Sequence, residues 1–284
     1  AAERNLNLSS RLKGEILNFI IPDWQVSKKV KAIVTTRVGG VSRPPFDTFN
    51  LATHVDDEPE NVIKNRQILS ESLRLPSEPN WLEQVHGTDV IEANHLSESP
   101  CGDACYTNQA GKVCVVLTAD CLPVFLAVED GSEVAVAHAG WKGLLKGVIE
   151  NAVSKFEIKP SKIHAWLGPA IGPEEFEVGD EVRQAFLREA GQSEIETVKK
   201  SFLSAPSPTH AKNYGASFSS SCTQESSNNK WLANIYKLAT IRLNRVGVTK
   251  ISGGDFCTVK QSELFYSYRR DGKTGRMASL IWIE

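Results

Sequence analysis

The chain has 284 residues, of which 41% are hydrophobic and 23% charged, a composition typical of a folded globular protein. Its 32 Lys and Arg residues stand against 34 Asp and Glu, a formal net charge of −2, so it lacks the positive excess that nucleic-acid binding requires. It contains no run of about 18 apolar residues, which argues against a membrane partner.

The first third of the chain predicts an N-terminal extension followed by strands and one helix. No element is evident over residues of about 1–25, which are interpreted as the extension. The β-rich run at residues 30–36 predicts the first strand. Asp57-Glu58-Pro59 predicts a helix start, because a carboxylate can cap the first N–H groups and proline is favoured in the first turn. Short strands are predicted at residues 81–85 and 90–92.

The middle of the chain predicts buried strands followed by a long helix. Three short apolar runs, at residues 113–117, 123–128 and 134–137, indicate strands that are covered on both faces. Apolar side chains at helical spacing predict a single helix over residues 143–156. Residues 163–167 predict a further strand.

The last third predicts two helices, one polar insertion and a closing strand. Helices are predicted over residues 182–189 and 231–246, and a strand over residues 276–283. Residues 204–229 are rich in Ser, Thr, Asn and Pro and are interpreted as a mobile insertion. Because strands and helices do not alternate regularly, we expect one α+β domain spanning residues 1–284.

The six cysteines contain no CxxC pair, which argues against a zinc ribbon or a thioredoxin-type motif. We therefore expect reduced thiols and a cytoplasmic protein. The first residues lack the apolar core of a signal peptide. Because the chain begins with Ala1, an organelle stroma is the alternative location if a transit peptide has been removed.

Three potential metal ligands follow or end predicted strands. His86 and Cys121 each lie between two such strands, and His138 ends a third. Their long separations do not match a zinc finger but are normal for a catalytic zinc site, in which three protein ligands leave one position open. Taken alone, such residues are more often buried packing residues. A metal-free cysteine nucleophile paired with histidine fits the same residues.

Several motifs occur in the order in which one known family has them. They are Thr35-Thr36-Arg37, Gly39-Gly40-Val41-Ser42, Phe49-Asn50-Leu51, Gln84-Val85-His86-Gly87, Thr118-Ala119-Asp120-Cys121-Leu122-Pro123-Val124, Ala137-His138-Ala139-Gly140-Trp141-Lys142-Gly143, Leu167-Gly168-Pro169-Ala170-Ile171-Gly172, Tyr268-Arg269-Arg270-Asp271 and Gly275-Arg276-Met277-Ala278. The chain thus resembles the multicopper polyphenol oxidase or laccase-domain family from about residue 30 to residue 284. Members of this family are also described as purine nucleoside phosphorylases with adenosine deaminase activity, and some bacterial members as peptidoglycan-editing factors.

The resemblance implies a fold, a metal site and an activity. The fold is expected to be similar to the catalytic domain of cytotoxic necrotizing factor toxins, with packed mixed β-sheets and flanking helices. The implied metal ligands are His86, Cys121 and His138, with Zn²⁺ as the expected ion and copper as the alternative. The implied partners are phosphate and a nucleoside, namely adenosine, inosine or methylthioadenosine; the oligomeric state is left open.

Other residues are candidates for roles around the implied metal site. Asp120 is the preferred general acid or base beside Cys121, although an Asp in a buried turn can equally cap backbone N–H groups. Asn50 is expected to orient the substrate, and Gln84 to bind it. The weaker acid–base candidates are Asp89, Asp103 and Asp255. The cations expected to hold phosphate are Arg37, Lys142 and Arg269. The histidines interpreted as surface or packing residues are His54, His95, His164 and His210.

Other functions remain open at this point. The chain has no His-x-His pair, so a four-copper laccase centre is not supported. A polyphenol oxidase with a single copper stays an alternative, because copper can bind at a nitrogen and sulfur site. The same residues are also compatible with a peptidoglycan-precursor amidase and with a metal-binding protein that is not an enzyme. Phosphate dependence would separate phosphorolysis from all three.

Overall fold

A computed structural model describes residues 6–12, 15–93, 100–205 and 230–284, and within these ranges the strands form three sheets. The strands are β1 (Leu6–Leu12), β2 (Glu15–Ile20), β3 (Val30–Thr35), β4 (Val90–Glu92), β5 (Ala104–Thr107), β6 (Val113–Thr118), β7 (Leu122–Val128), β8 (Val134–Ala139), β9 (Ile163–Leu167), β10 (Glu177–Gly179), β11 (Phe202–Ser204), β12 (Lys230–Ala233), β13 (Lys250–Gly253) and β14 (Met277–Ile283). The α-helices are α1 (Pro59–Leu73), α2 (Trp141–Lys146), α3 (Val148–Ser154), α4 (Asp180–Arg188), α5 (Ile195–Lys199), α6 (Ile235–Arg245) and α7 (Tyr268–Asp271). A single 3₁₀ turn spans Pro160–Lys162.

Two of the sheets pack against each other, and the third is small. The first sheet is antiparallel with the order β1-β2-β3-β14-β6. The second has the order β13-β9-β7-β8-β5-β4 and is mixed, because its two edge strands, β13 and β4, run parallel to their neighbours. The third is the antiparallel trio β10-β12-β11. The chain is therefore a mixed α and β fold, as expected.

The buried strands owe their continuous apolarity to cover on both faces. Along β7, Phe125 and Ala127 face a core shared with the first sheet. The alternate residues Val124 and Leu126 pack in a second core that includes residues of α3 and α6. Alternation with a period of two therefore gives this strand two apolar faces, and β7 is fixed between two layers.

The strands predicted in the middle and at the end of the chain are confirmed as β6, β7, β8, β9 and β14. The sheet, however, begins earlier than predicted. Residues interpreted as an N-terminal extension form β1 and β2, and β2 pairs with β3. Phe19 and Ile20 of β2 are fully buried, so this segment belongs to the core.

Three other elements differ from their sequence-based predictions. The helix predicted over residues 143–156 is two helices, because Gly147 adopts a left-handed backbone with φ of 101°. The helix predicted from residue 231 begins at Ile235, where the Asn234 side chain accepts a hydrogen bond from the Lys237 N–H. Isolated bridges at Asn80 and Glu83 replace the strand predicted at residues 81–85.

Some predictions stay as predictions. The interpreted insertion at residues 204–229 falls almost wholly outside the described residues, which resume at Lys230. The likeness to the cytotoxic necrotizing factor fold is likewise an expectation. Of the helices described, none combines the length and apolarity needed to cross a membrane.

The register of β7 against β8 brings distant residues to one edge of the second sheet. Leu122 pairs with Ala139 and Pro123 with His138. Cys121, immediately before β7, therefore lies beside the chain that leaves β8 and enters α2. This is the part of the fold that carries the candidate site.

Replacing Gly147 with alanine should destabilise the fold, because a Cβ at a φ of 101° is strained. We expect the free energy of unfolding to fall by about 1–2 kcal/mol, measured by urea denaturation. Gly191→Ala is the matched control, because Gly191 is exposed and has no positive φ. Equal stability of the Gly147→Ala variant and the wild type would contradict the helix break.

Candidate metal centre and active-site cavity

A cavity of about 470 Å³ opens where β6 ends and β7 begins. Its apolar wall is formed by Leu117, Trp141, Ile171, Phe176 and Ile235. The ionisable side chains that line it include His54, His86, Cys121, His138, Arg269 and Arg276. Its volume is within the range of small-molecule sites, about 300–1,000 Å³.

Three of these side chains converge. One potential ligand atom from each of His86, Cys121 and His138 lies within 4.8 Å of the other two. The Cys121 Sγ is 3.8 Å from His86 Nε2, and the two imidazole rings meet edge to face with centroids 4.7 Å apart. His86 is exposed to the cavity side, Cys121 is half-buried and His138 is buried.

Left-handed backbone conformations occur at His86 and next to Cys121. His86 has a φ of 58°, and Asp120, directly before Cys121, has a φ of 86°. Such conformations are strained for residues other than glycine and persist only where the surroundings hold them. They indicate that the loops, and not only the strands, are shaped to bring His86 and Cys121 together.

One buried carboxylate holds both histidines. Asp103 Oδ1 lies 2.7 Å from His138 Nδ1 and accepts a hydrogen bond of 2.9 Å from the His86 N–H. Asp103 Oδ2 accepts hydrogen bonds from the N–H groups of Val85 and Gly87, at 3.1 and 2.6 Å. The contact at Nδ1 leaves His138 Nε2 as the nitrogen available to the cluster, an arrangement that commonly orients metal-binding histidines.

The charges of the cluster favour a thiolate. Burial disfavours ionisation of Cys121, but the charge of His138 and hydrogen bonds from both histidines lower the pKa of the thiol to about 6. Burial likewise opposes the charge on His138, while Cys121 and Asp103 raise the pKa of its imidazole to about 9. Burial of Asp103 is also outweighed, because hydrogen bonds from His138 and Gly87 lower the pKa of this carboxyl.

The cluster fits a metal ion. Two imidazole nitrogens and one thiolate form a ligand set that suits zinc and also binds copper. Gly140 adds room beside the ligands, because a Cβ there would lie 2.9 Å from His86 Cδ2 and 3.0 Å from Cys121 Sγ. His86, Cys121 and His138 could therefore hold one ion with a position open towards the cavity.

Comparison with known proteins identifies the family. A family model described as "Multi-copper polyphenol oxidoreductase laccase" matches residues 31–284. The chain belongs to this family. The purine nucleoside phosphorylase YfiH of Escherichia coli (strain K12) is 48% identical over 265 residues, which cover 93% of this chain and 98% of that protein. A purine nucleoside phosphorylase of Haemophilus influenzae is 43% identical over 93% of this chain and 99% of its own length.

Solved structures show the same fold. Neisseria meningitidis protein NMB0706 superposes with a TM-score of 0.80 at 40% identity, covering 94% of this chain and 99% of that one. A Bacillus licheniformis hypothetical protein YfiH gives a TM-score of 0.78 at 26% identity, covering 97% and 99% of the two chains. The fold of the family thus extends over almost the whole of this chain.

Asp120 and Gln84 line the cavity, but their polar atoms are bonded to the protein. Asp120 Oδ1 accepts a hydrogen bond from Thr258 Oγ1 at 2.6 Å, and Oδ2 accepts one from the Arg269 N–H at 2.7 Å. The capping role expected of an Asp in a buried turn is therefore the one observed. The Gln84 amide both donates to and accepts from the backbone of Leu117, at 2.9 and 2.6 Å.

The cations expected to hold phosphate are placed differently from the prediction. Arg37 lies outside the cavity lining and bonds to Asp47 and to the Ser262 carbonyl. Lys142 is also outside the lining and is exposed on α2. Arg269 does line the cavity, but its terminal nitrogens donate to the carbonyl oxygens of Glu175 and Glu177. Arg37 and Lys142 thus lie outside the cavity lining, because motif membership does not reveal which partners a cation already has; their phosphate-binding role stays a prediction.

Asn50 lies outside the cavity lining and is bonded within the protein, and its orienting role stays a prediction. It is fully buried, and its Oδ1 accepts hydrogen bonds from the N–H groups of Ala52 and Arg276, at 3.1 and 3.0 Å. Its Nδ2 donates to Asp57 Oδ2 at 2.9 Å and to the Ala52 carbonyl. Asn50 therefore joins two segments that each contribute to the cavity.

Two cavity residues are not evident from the sequence. His54 is interpreted there as a surface or packing residue, and Arg276 is part of a family motif but receives no role, yet both line the cavity. The available signal is that His54 lies in a turn before α1 and that Arg276 directly precedes β14. Among the other candidates, Asp89 and Asp255 are exposed and outside the lining, whereas His95 and His210 are outside the described residues.

The pKa of Cys121 can be tested by alkylation. In metal-free protein, its rate of reaction with iodoacetamide should rise through about pH 6 and level off above pH 7, because only the thiolate reacts. Cys121→Ser should remove this phase and leave that of the exposed Cys101. A midpoint near the ordinary thiol value of about 8.5 would contradict the charged pair.

Proposed function

We propose that this protein is a zinc-dependent purine nucleoside phosphorylase that uses adenosine and inosine, with methylthioadenosine as a further substrate. The observation that carries the proposal is the His86–Cys121–His138 cluster on the wall of a nucleoside-sized cavity. Relatives that are 43–48% identical over most of this chain carry the name purine nucleoside phosphorylase.

The cavity has the two surfaces that a nucleoside requires. Ile171, Phe176 and Ile235 offer an apolar wall to a planar purine ring. Tyr268 lines the same cavity, and 62% of its surface is exposed, so its ring is available for stacking. The polar ribose would then lie towards the cluster, where ionisable groups are concentrated.

His86, Cys121 and His138 would hold the zinc ion, and Asp103 would keep both histidines in their binding orientation. When bound, the ion supplies Lewis-acid stabilisation of negative charge that develops on the substrate. The residues of the chain contribute position and charge. Because Asp103 is connected to both histidines, the cluster needs little rearrangement when substrate enters.

Phosphorolysis exchanges one bond at the ribose for another. An oxygen of hydrogen phosphate forms a bond to the anomeric carbon as the bond from that carbon to the purine nitrogen breaks. The electron pair of the broken bond passes to the purine, which takes the proton that phosphate gives up. The products are the free base and ribose 1-phosphate, and the reaction needs no oxidant. The role of the protein is to align phosphate with the anomeric carbon and stabilise the negative charge.

The remaining reactions expected from the resemblance rank lower. Adenosine deamination requires a group that moves a proton from water; Asp120 is the candidate, and each of its carboxylate oxygens accepts one hydrogen bond from the protein. A peptidoglycan-precursor amidase would release an amino acid without phosphate. An oxidase with a single copper would consume oxygen. Each would be detected as phosphate-independent turnover.

Removing the thiolate ligand should abolish phosphorolysis. We expect Cys121→Ala to reduce phosphate-dependent release of hypoxanthine from inosine by at least about 100-fold. Loss of a residue that hydrogen-bonds to a metal ligand typically reduces activity by about 10–100-fold, and loss of the ligand itself should cost more. Zinc content should fall with activity. Cys101→Ala is the matched control, since Cys101 is exposed and outside the cavity lining.

Assays with and without phosphate decide between the candidates. Base release that requires phosphate, together with ribose 1-phosphate, is the expected result. Full activity of Cys121→Ala would refute phosphorolysis as the principal reaction. Conversion of adenosine to inosine and ammonia without phosphate, as fast as turnover with phosphate, would refute it as well.

A further inference from the structure

Arg276 presents nitrogen donors in the cavity that the protein does not use. Its Nη1 donates to the carbonyl oxygens of Thr274 and Gly275, at 2.8 and 3.0 Å. Within the described ranges, Nε and Nη2 have no hydrogen-bond partner and no carboxylate lies within ion-pair distance. The guanidinium is thus anchored at Nη1 and lies over the Tyr268 ring, with its carbon 6.0 Å from the ring centroid, whereas the donors at Nε and Nη2 are available to a ligand.

Arg276 differs in this respect from the other arginine of the cavity. Both terminal nitrogens of Arg269 are bonded to backbone carbonyls. Arg37, which its motif favours as a phosphate ligand, is paired with Asp47 outside the cavity. Among the arginines considered for phosphate in the described chain, Arg276 is the one with unused donors in the cavity.

The surroundings of Arg276 favour an anion. Burial lowers the pKa of the guanidinium, and the negative charges of Cys121 and Asp120 raise it in part. An arginine nevertheless stays protonated at neutral pH. A half-buried cation without a directly paired carboxylate is energetically unfavourable, and a bound anion would remove part of that cost.

His54 adds a neutral donor close to Arg276. Burial and the positive charges of Arg276 and Arg66 lower the pKa of His54, so its ring is neutral at pH 7. A neutral imidazole carries one N–H donor. His54 and Arg276 both line the cavity that holds the metal-ligand cluster.

We infer that Arg276, with His54, forms the subsite that holds orthophosphate for attack on the nucleoside. This inference rests on the proposed function, because it assigns the anion that phosphorolysis requires. A guanidinium bonds two oxygens of a phosphate side by side, which fixes orientation as well as charge. The remaining phosphate oxygens are left free for the reaction.

Asn50 makes this a built subsite rather than a chance contact of two surface residues. It accepts hydrogen bonds from the N–H groups of both Arg276 and Ala52, two residues before His54. It also donates to Asp57, on the other side of His54. The segment that carries His54 is therefore connected to Arg276 through one fully buried amide. Asn50 acts as a positioning residue for the subsite.

The test compares zinc-loaded wild type with Arg276→Gln, Arg276→Lys and His54→Gln. Loss of a charged hydrogen-bonding group should raise the KM for phosphate about 10–100-fold in Arg276→Gln, while the KM for inosine changes less than about 3-fold. Arg276→Lys should recover part of the loss, since it keeps the charge but not the paired donors. His54→Gln should raise the phosphate KM about 2–10-fold. Lys146→Gln, an exposed charge change on α2, is the control.

Binding without turnover separates this inference from the proposed function. Calorimetry should show orthophosphate and arsenate binding to zinc-loaded wild type and at least about 10-fold weaker binding to Arg276→Gln. Such binding without phosphorolysis would refute the proposed function and support the subsite. Zinc content and melting temperature verify that each variant is folded. If Arg276→Gln does not fold, the phosphate KM and phosphate affinity of His54→Gln test the subsite instead.

Three results would overturn the subsite. The first is an unchanged phosphate KM in Arg276→Gln while phosphorolysis persists. The second is an equal rise in the KM for inosine, which would place Arg276 against the nucleoside. The third is loss of binding of adenosine 5′-monophosphate but not of orthophosphate, which would assign Arg276 to a nucleotide phosphate group.

Discussion

The candidate site depends on the Asp103 carboxylate, which lies directly before β5. It holds the loop of residues 85–87 next to His138 of β8. Its side chain fixes the His138 ring and accepts hydrogen bonds from three consecutive N–H groups, of Val85, His86 and Gly87. Its own carbonyl accepts a bond of 2.7 Å from the His138 N–H. Without this carboxylate, these three N–H groups would lose their partner and the left-handed backbone of His86 would lose its support.

This arrangement also explains how charges are kept in a buried place. Isolated charges in a protein interior are unfavourable, but Cys121, His138 and Asp103 form an alternating series of negative, positive and negative groups joined by hydrogen bonds. Each charge is stabilised by its neighbour. A metal ion would replace the proton shared between Cys121 and His138, because its ligands are the thiolate and the neutral imidazole. Binding would therefore release protons rather than create a new unpaired charge.

The sequence places His86, Cys121 and His138 at strand ends within motifs, and the structure brings the three side chains together. The residues alone leave packing roles open, and it is the family resemblance that assigns them as metal ligands. The sequence is sufficient for β6 to β9, whose apolar runs are covered on both faces. It fails for β1 and β2, although residues 16–20 form a mostly apolar run that is typical of a buried strand. It fails for the break at Gly147, where helical spacing continues across a residue whose backbone is left-handed.

The cations illustrate a further limit. Arg37, Arg269 and Arg276 all belong to motifs, and the chemistry of the three side chains is identical. They differ in whether the guanidinium already donates to a carboxylate or carbonyl of the protein. The acceptor of Arg269 is distant in sequence, whereas Arg37 donates to the carboxylate of Asp47, ten residues along the chain. Arg276 donates through Nη1 to the nearby carbonyl of Thr274. Likewise, Asn50 and Asp120 are polar residues near the site whose bonds are all made within the protein. Sequence can propose which residues matter, but the contact partners decide what each one does.

The most direct measurement is X-ray absorption spectroscopy on protein purified without a metal-affinity column. A site formed by His86, Cys121 and His138 predicts about one zinc per chain, with one sulfur at about 2.3 Å and two imidazole nitrogens at about 2.0–2.1 Å. A coordination shell without sulfur, or the same metal content in protein that lacks the Cys121 thiol, would contradict the proposed metal centre.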